Sequence, residues 1–177
     1  NAVLAQVGNS LSTGATGLLV HYPLDSGSNT SSGPIDVGLA GTSGANVTGK
    51  DGDTNGGRQF NSLSSHIIKS ATTLGLPEGN APRTICAWAS LNQLPPNVGL
   101  PGNTYVITNY GSAGNGGTIG IQIVNSGGTH QVGFLGYGTG DVLVNHQSTL
   151  NTWTHYCAIY DGANASLYIN GKQIIAP

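Results

Sequence analysis

The stretch RTICAWASL (83–91) decides the class of fold. Ile85, Ala87, Ala89 and Leu91 fall on one side of an extended chain, and Cys86 and Trp88 fall on the other, because successive side chains of a strand point to opposite faces. Both sides are apolar enough to be covered, which reads as a central strand of a buried sheet. C-terminal to it, LPPNVGLPGN (94–103) is a loop, and TYVITNY (104–110), TIGIQIV (118–124), HQVGFLGY (130–137) and DVLVNH (141–146) read as strands between Gly-rich turns. WTHYCAIY (153–160), ASLYIN (165–170) and KQII (172–175) follow, with turns at DGAN (161–164) and NG (170–171); Asn-Gly is a strong hairpin signal. On the N-terminal side, GLLVHYPL (17–24) reads as a strand ended by Pro23, and DSGSNTSSGPIDVG (25–38) as a long loop with a short strand at 35–37. RQF (58–60) and SHIIK (65–69) read as short strands around a turn, and residues 1–16 as an N-terminal arm. Ten or more short strands with frequent turns predict an all-β, two-sheet antiparallel sandwich or jelly roll, formed as a single domain by residues 17–177.

Composition narrows the functional classes. Of 177 residues only 7% are charged and 29 are glycine, against about 25% charged in ordinary globular chains. The formal net charge is −2, so the self-repulsion and low hydrophobicity that keep chains disordered are missing. Five Lys and Arg residues are scattered along the chain and form no basic patch for nucleic acid. No apolar run reaches the roughly 18 residues that would span a bilayer, so membrane insertion is not expected. Methionine is absent; Asn1 is therefore expected to be a terminus made by processing, or the edge of a fragment. The two cysteines make either one disulfide or two buried thiols. Sparse charge with abundant Thr and Asn favours a secreted, extracellular or cell-surface setting, where a disulfide persists.

GLLVHYPLD (17–25), RTICAWASL (83–91) and WTHYCAIYDGANASLYINGK (153–172) together resemble the laminin-G-like branch of the concanavalin A-like jelly rolls. In that family an aromatic-Pro-aliphatic-Asp strand end, a Thr-Ile-x-Ala-Trp strand, and Trp-x-His before a Leu-Tyr-x-Asn-Gly hairpin occur in this order. Pentraxins carry a disulfide between the two strands that match 84–90 and 153–160, and the resemblance implies the same bond between Cys86 and Cys157. With those strands antiparallel and the cysteines opposite, Trp88 falls opposite His155 and Ser90 opposite Trp153. The resemblance also implies two or three further strands after the Asn-Gly hairpin. The sandwich is therefore expected to lack its last strands, as a fragment or as a chain completed by a partner.

Few constellations promise chemistry. Glycoside hydrolysis needs paired carboxylates, yet the chain has one glutamate, Glu78, and six aspartates, Asp25, Asp36, Asp51, Asp53, Asp141 and Asp161, in turn-like surroundings. No strand carries two acids on one face, no Gly-x-Ser-x-Gly elbow occurs, and the glycines of 111–117 lack a following Lys, so no enzyme is expected. Asp51, Asp53 and Asn55 match the opening of a Ca2+ loop, the one cofactor suggested, but Ser62 stands where the bidentate acid is needed; the plainer reading is a polar turn. His155 reads as a packed strand residue. Tyr105, Tyr110 and Tyr137 border loops and are the candidate rings for stacking on a sugar, with core packing as the alternative. Asn29, Asn46 and Asn164 begin Asn-x-Ser/Thr glycosylation sequons. Two expectations follow: a non-catalytic recognition module for glycan or an extracellular protein, or a structural subunit that self-associates by strand or arm exchange.

Overall fold

The computed structural model describes residues 3–6, 19–22, 24, 40–42, 44–60, 66–68, 76–111, 117–137 and 140–176. In chain order the strands are β1 (Val3–Gln6), β2 (Ala40–Thr42), β3 (Asn46–Val47), β4 (Gly57–Phe60), β5 (His66–Ile68), β6 (Arg83–Leu91) and β7 (Thr104–Gly111). They continue with β8 (Thr118–Ser126), β9 (Thr129–Leu135), β10 (Val142–Asn145), β11 (Thr154–Tyr160), β12 (Ala165–Ile169) and β13 (Lys172–Ile175). Among the described residues there is no α-helix.

Two antiparallel sheets form the sandwich expected from the sequence. One has seven strands in the order β13-β12-β11-β6-β1-β4-β3, and the other has four in the order β10-β9-β8-β7. A separate two-stranded sheet joins β2 to β5. The layers stack with β11 on β8, β6 on β7 and β12 on β9. Ala87, Ala89, Leu91, Tyr156, Ala158, Leu167 and Ile169 supply the inner face of the large sheet. Ile119, Ile121, Ile123, Val132 and Phe134 supply that of the small one. Small Ala89 and Ala158 of the large sheet share one buried cluster with the β-branched Ile119, Ile121 and Ile123 of β8, so side-chain volume is divided between the layers. Burying these apolar groups is the main term holding the sandwich together.

Cys86 and Cys157 sit opposite each other in the β6–β11 ladder and are bonded, with Cα atoms 4.1 Å apart. Trp88 is opposite His155, as expected. The ladder stops at Thr154, because the chain before it turns back onto Leu91: Asn151 N donates to Leu91 O at 2.7 Å. The same register carried one step further sets Trp153 against Ser90, whose other edge pairs with Leu4 of β1, but the ladder ends before it. The Trp153 indole packs over Gly57, 3.4 Å from where a Cβ would stand.

Other expectations need correction. The segment read as an arm contributes β1, held between β6 and β4 by ladders on both sides. Residues 19–22 are not in a strand; Pro23 and the left-handed Leu24 (φ 57°) stand beside them and oppose continued pairing. The 58–60 and 66–68 strands do not share a sheet, since β5 takes β2 as its partner. The short strand expected at 35–37 lies outside the described residues.

Candidate functional site

Strand alternation places Arg83 on the inner side of β6, in line with Ile85, Ala87, Ala89 and Leu91. Its side chain is buried, at 9% exposure. A guanidinium cannot shed its charge, so burial requires polar compensation. Part of it comes from the preceding loop: Nη1 donates to Gly79 O at 2.6 Å and to Ala81 O at 3.2 Å. Two aromatic faces add to this. The guanidinium carbon lies 5.2 Å from the Tyr160 ring centroid and 5.9 Å from that of Tyr110, within cation–π range. The buried Nε has no hydrogen-bond partner. Among the described residues no ion pair joins a carboxylate to Arg83.

The two rings are fixed from below. Tyr160 is the register partner of Arg83, and its hydroxyl donates to Gly162 O at 2.9 Å. That oxygen belongs to a turn in which Asp161 Oδ1 accepts from the backbone N–H groups of Asn164 (2.7 Å) and Ala163 (2.8 Å). Those bonds, Asn164 first, hold the Asp161 carboxyl below its ordinary pKa, because they favour the charged form. Tyr110 donates its hydroxyl to Pro77 O at 3.2 Å. Burial raises its pKa; the Arg83 charge opposes this, and Glu78 adds a smaller push upward.

Between these groups is a cleft of about 120 Å³, lined by Pro77, Glu78, Gly79, Arg83, Tyr110, Gly111 and Gly117. With a liquid water occupying about 30 Å³, the space takes a terminal chemical group or one edge of a sugar ring, and a longer ligand would extend outside. Gly111 shapes the wall: its φ is 126°, and a Cβ there would collide with the carbonyl of Gly117. Glu78 is exposed.

The sequence-derived candidates disperse over the molecule. Tyr105 is a core residue at 6% exposure, its hydroxyl accepting from Gln93 Nε2 at 3.0 Å; it offers no surface ring. The β-bulge between Val106 and Thr108 puts Tyr110 opposite Ile119 on the same inward side as Tyr105, although five residues of strict alternation would separate them. Of the three tyrosines, Tyr110 alone lines the cleft. Tyr137 is 49% exposed, just beyond β9. Asp51, Asp53 and Asn55 are exposed; Lys50 Nζ donates to Asp51 Oδ1 at 2.6 Å, and Asp53 O accepts from Gly49 N and Gly56 N. No three His, Cys, Asp or Glu side chains converge as metal ligands among the described residues. Asn46 is exposed on β3 and Asn164 in the turn before β12; Asn29 lies outside the described residues.

The outer face of the large sheet holds a second cluster. The Trp88 and His155 rings are 5.1 Å apart and tilted by 46°, beside the disulfide. Lys50 Nζ lies 5.2 Å from the Trp88 centroid. Burial depresses the His155 pKa, which suits a packed neutral imidazole.

Sequence reading passed over Arg83 and Tyr160. The signal was available: an arginine in phase with four apolar residues of RTICAWASL must either break the strand or be buried with partners.

Taken with the disulfide and two stacked antiparallel sheets, this architecture defines a lectin-type jelly roll. The laminin G-type family model of the concanavalin A-like lectin/glucanases superfamily matches residues 64–176, from the start of the β5 region through β13, and the chain belongs to that family. The matched span contains two of the three motifs that carry the resemblance, whereas 17–25 lies outside it. No curated protein and no solved structure matches the chain.

Proposed function

We propose that the chain is a non-catalytic, extracellular recognition module that takes one end of a glycan into the Tyr110 cleft. The observation that carries this reading is the cleft itself, the Tyr110 ring beside polar groups where the loop before β6 meets the end of β7, in the mixed apolar and polar style of ligand sites. Family membership supports a binding role of lectin type, although function resides in sites and not in the fold. The disulfide supports an oxidising location. Glu78 is the single acid among the residues lining the cleft, whereas glycosidases flank the scissile bond with two. Assembly by exchange of the N-terminal segment has less support, because β1 is already paired along both edges.

A glycan array followed by calorimetry tests the proposal. Saturable binding of a saccharide, weakened roughly tenfold (about 1.4 kcal/mol) by Tyr110→Leu, is the expected result. Absence of saccharide binding, or binding indifferent to that substitution, overturns it.

A further inference from the structure

We infer that the cleft selects saccharides carrying an anionic oxygen group, a carboxylate or a sulfate ester, and that Arg83 reads the charge. The inference rests on the recognition reading above and names its ligand class. A buried, permanently charged guanidinium with no carboxylate partner among the described residues is an unusual arrangement. Carbonyl oxygens accept from Nη1, Nε is sealed from solvent, and the aromatic rings compensate only from their faces, so no full counter-charge meets the guanidinium. The side chain lines the cleft. Guanidinium hydrogen bonds to carboxylate or sulfate oxygens are short and charge-assisted, and planar forks favour such acceptors.

The dimensions agree. About 120 Å³ is ample for a carboxylate or sulfate at the edge of a sugar and too small for an oligosaccharide. Glu78 also lines the cleft, but it is exposed and forms no ion pair with Arg83, so water screens it more strongly. An anion in the cleft lies beside both residues, and the screened acid opposes it less than the buried cation attracts it.

The chain contains two arginines, Arg58 and Arg83. Both Nε atoms are buried without partners, and only Arg83 lines the cleft. Arg58 is thus an internal control for an NMR titration that follows the two Nε–H signals at constant ionic strength. The probes are trigalacturonate, its neutral methyl ester, and a sulfated galactotriose. The inference expects a saturable shift of the Arg83 signal with at least one anionic probe while Arg58 stays still, and at least tenfold weaker binding of the ester. Whichever anionic probe acts identifies the group as carboxylate or sulfate. Glu78→Gln removes the one acid among the described residues lining the cleft and is expected to raise the preference for the anionic probe over the ester twofold or more.

Ester and acid binding equally, with cleft signals from Gly111 and Gly117 shifting but Arg83 unmoved, overturns the charge inference and leaves the recognition reading standing. If no probe shifts any cleft signal, the recognition reading falls as well.

Discussion

Arg83 and Tyr160 stand directly opposite each other across the β6–β11 ladder, and the guanidinium carbon lies 5.2 Å from the phenol centroid. The same ladder carries the Cys86–Cys157 bond. One pair of strands therefore fixes both the covalent tie of the large sheet and the charged wall of the cleft. Pairing three residues apart along each strand makes the position of Arg83 a consequence of the register that the cysteines share.

The disulfide closes a separation of 71 residues. In the loop-closure model a bond of that span removes unfolded-state entropy worth about 4 kcal/mol. Replacing both cysteines with alanine is expected to lower the unfolding free energy by roughly that amount in urea titrations, with the β-sheet circular dichroism spectrum retained below the transition. A loss under about 1 kcal/mol would mean that the unfolded chain gains little from the missing tie.

Ile121 is fully buried at the centre of β8, whereas Val106 on β7 is 47% exposed. Truncation to alanine leaves a cavity in the first case and little change in the second. Ile121→Ala is expected to cost roughly 3 kcal/mol, and Val106→Ala less than about 0.5 kcal/mol. Equal costs would show that the layers do not stack as described.

Gly111 and Gly127 both have positive φ, but only Gly111 also lacks space for a side chain. Gly127→Ala is expected to cost about 1 kcal/mol from backbone strain alone. Gly111→Ala adds a collision with Gly117 O, so it should cost more and also distort the cleft wall. Thermal unfolding ranks the two, and saccharide affinity should fall in the Gly111 variant alone.

Burial depresses the pKa values of His155 and His146 below the ordinary 6.5. The folded chain thus prefers neutral imidazoles, and the unfolded chain binds protons more readily. Their stabilisation is complete above about pH 6.5 and is lost as pH falls through the lower folded-state values. Urea midpoints should decline from pH 7.5 toward pH 5, and His155→Gln should flatten that decline. A midpoint that rises with acidity would contradict the assignment.

Much of the fold was legible because strong local signals and tertiary pairing agree. RTICAWASL and THYCAIY alternate cleanly, carry the cysteines, and become β6 and β11. The hairpin at Asn170-Gly171 pairs Ile169 with Lys172, a turn whose residue types announce it, and two hydrogen bonds between Asn170 and His155 tie it to β11. The cleft was less legible. The bulge in β7 reverses the side-chain phase between Tyr105 and Tyr110, and no local pattern shows which residue is doubled. β1 was misread because the Val3–Gln6 segment is short and acquires its partners from strands more than fifty residues away. Arg83 was legible in phase but not in consequence, since its aromatic partners come from β7 and β11.

The most direct test is the crystal structure of the chain with a saccharide that it binds in solution. The account predicts the sugar at the Tyr110 cleft, with an oxygen of the ligand within hydrogen-bond distance of the Arg83 guanidinium. A sugar resting instead on the Trp88–His155 face, or along the outer face of the four-stranded sheet, would contradict it.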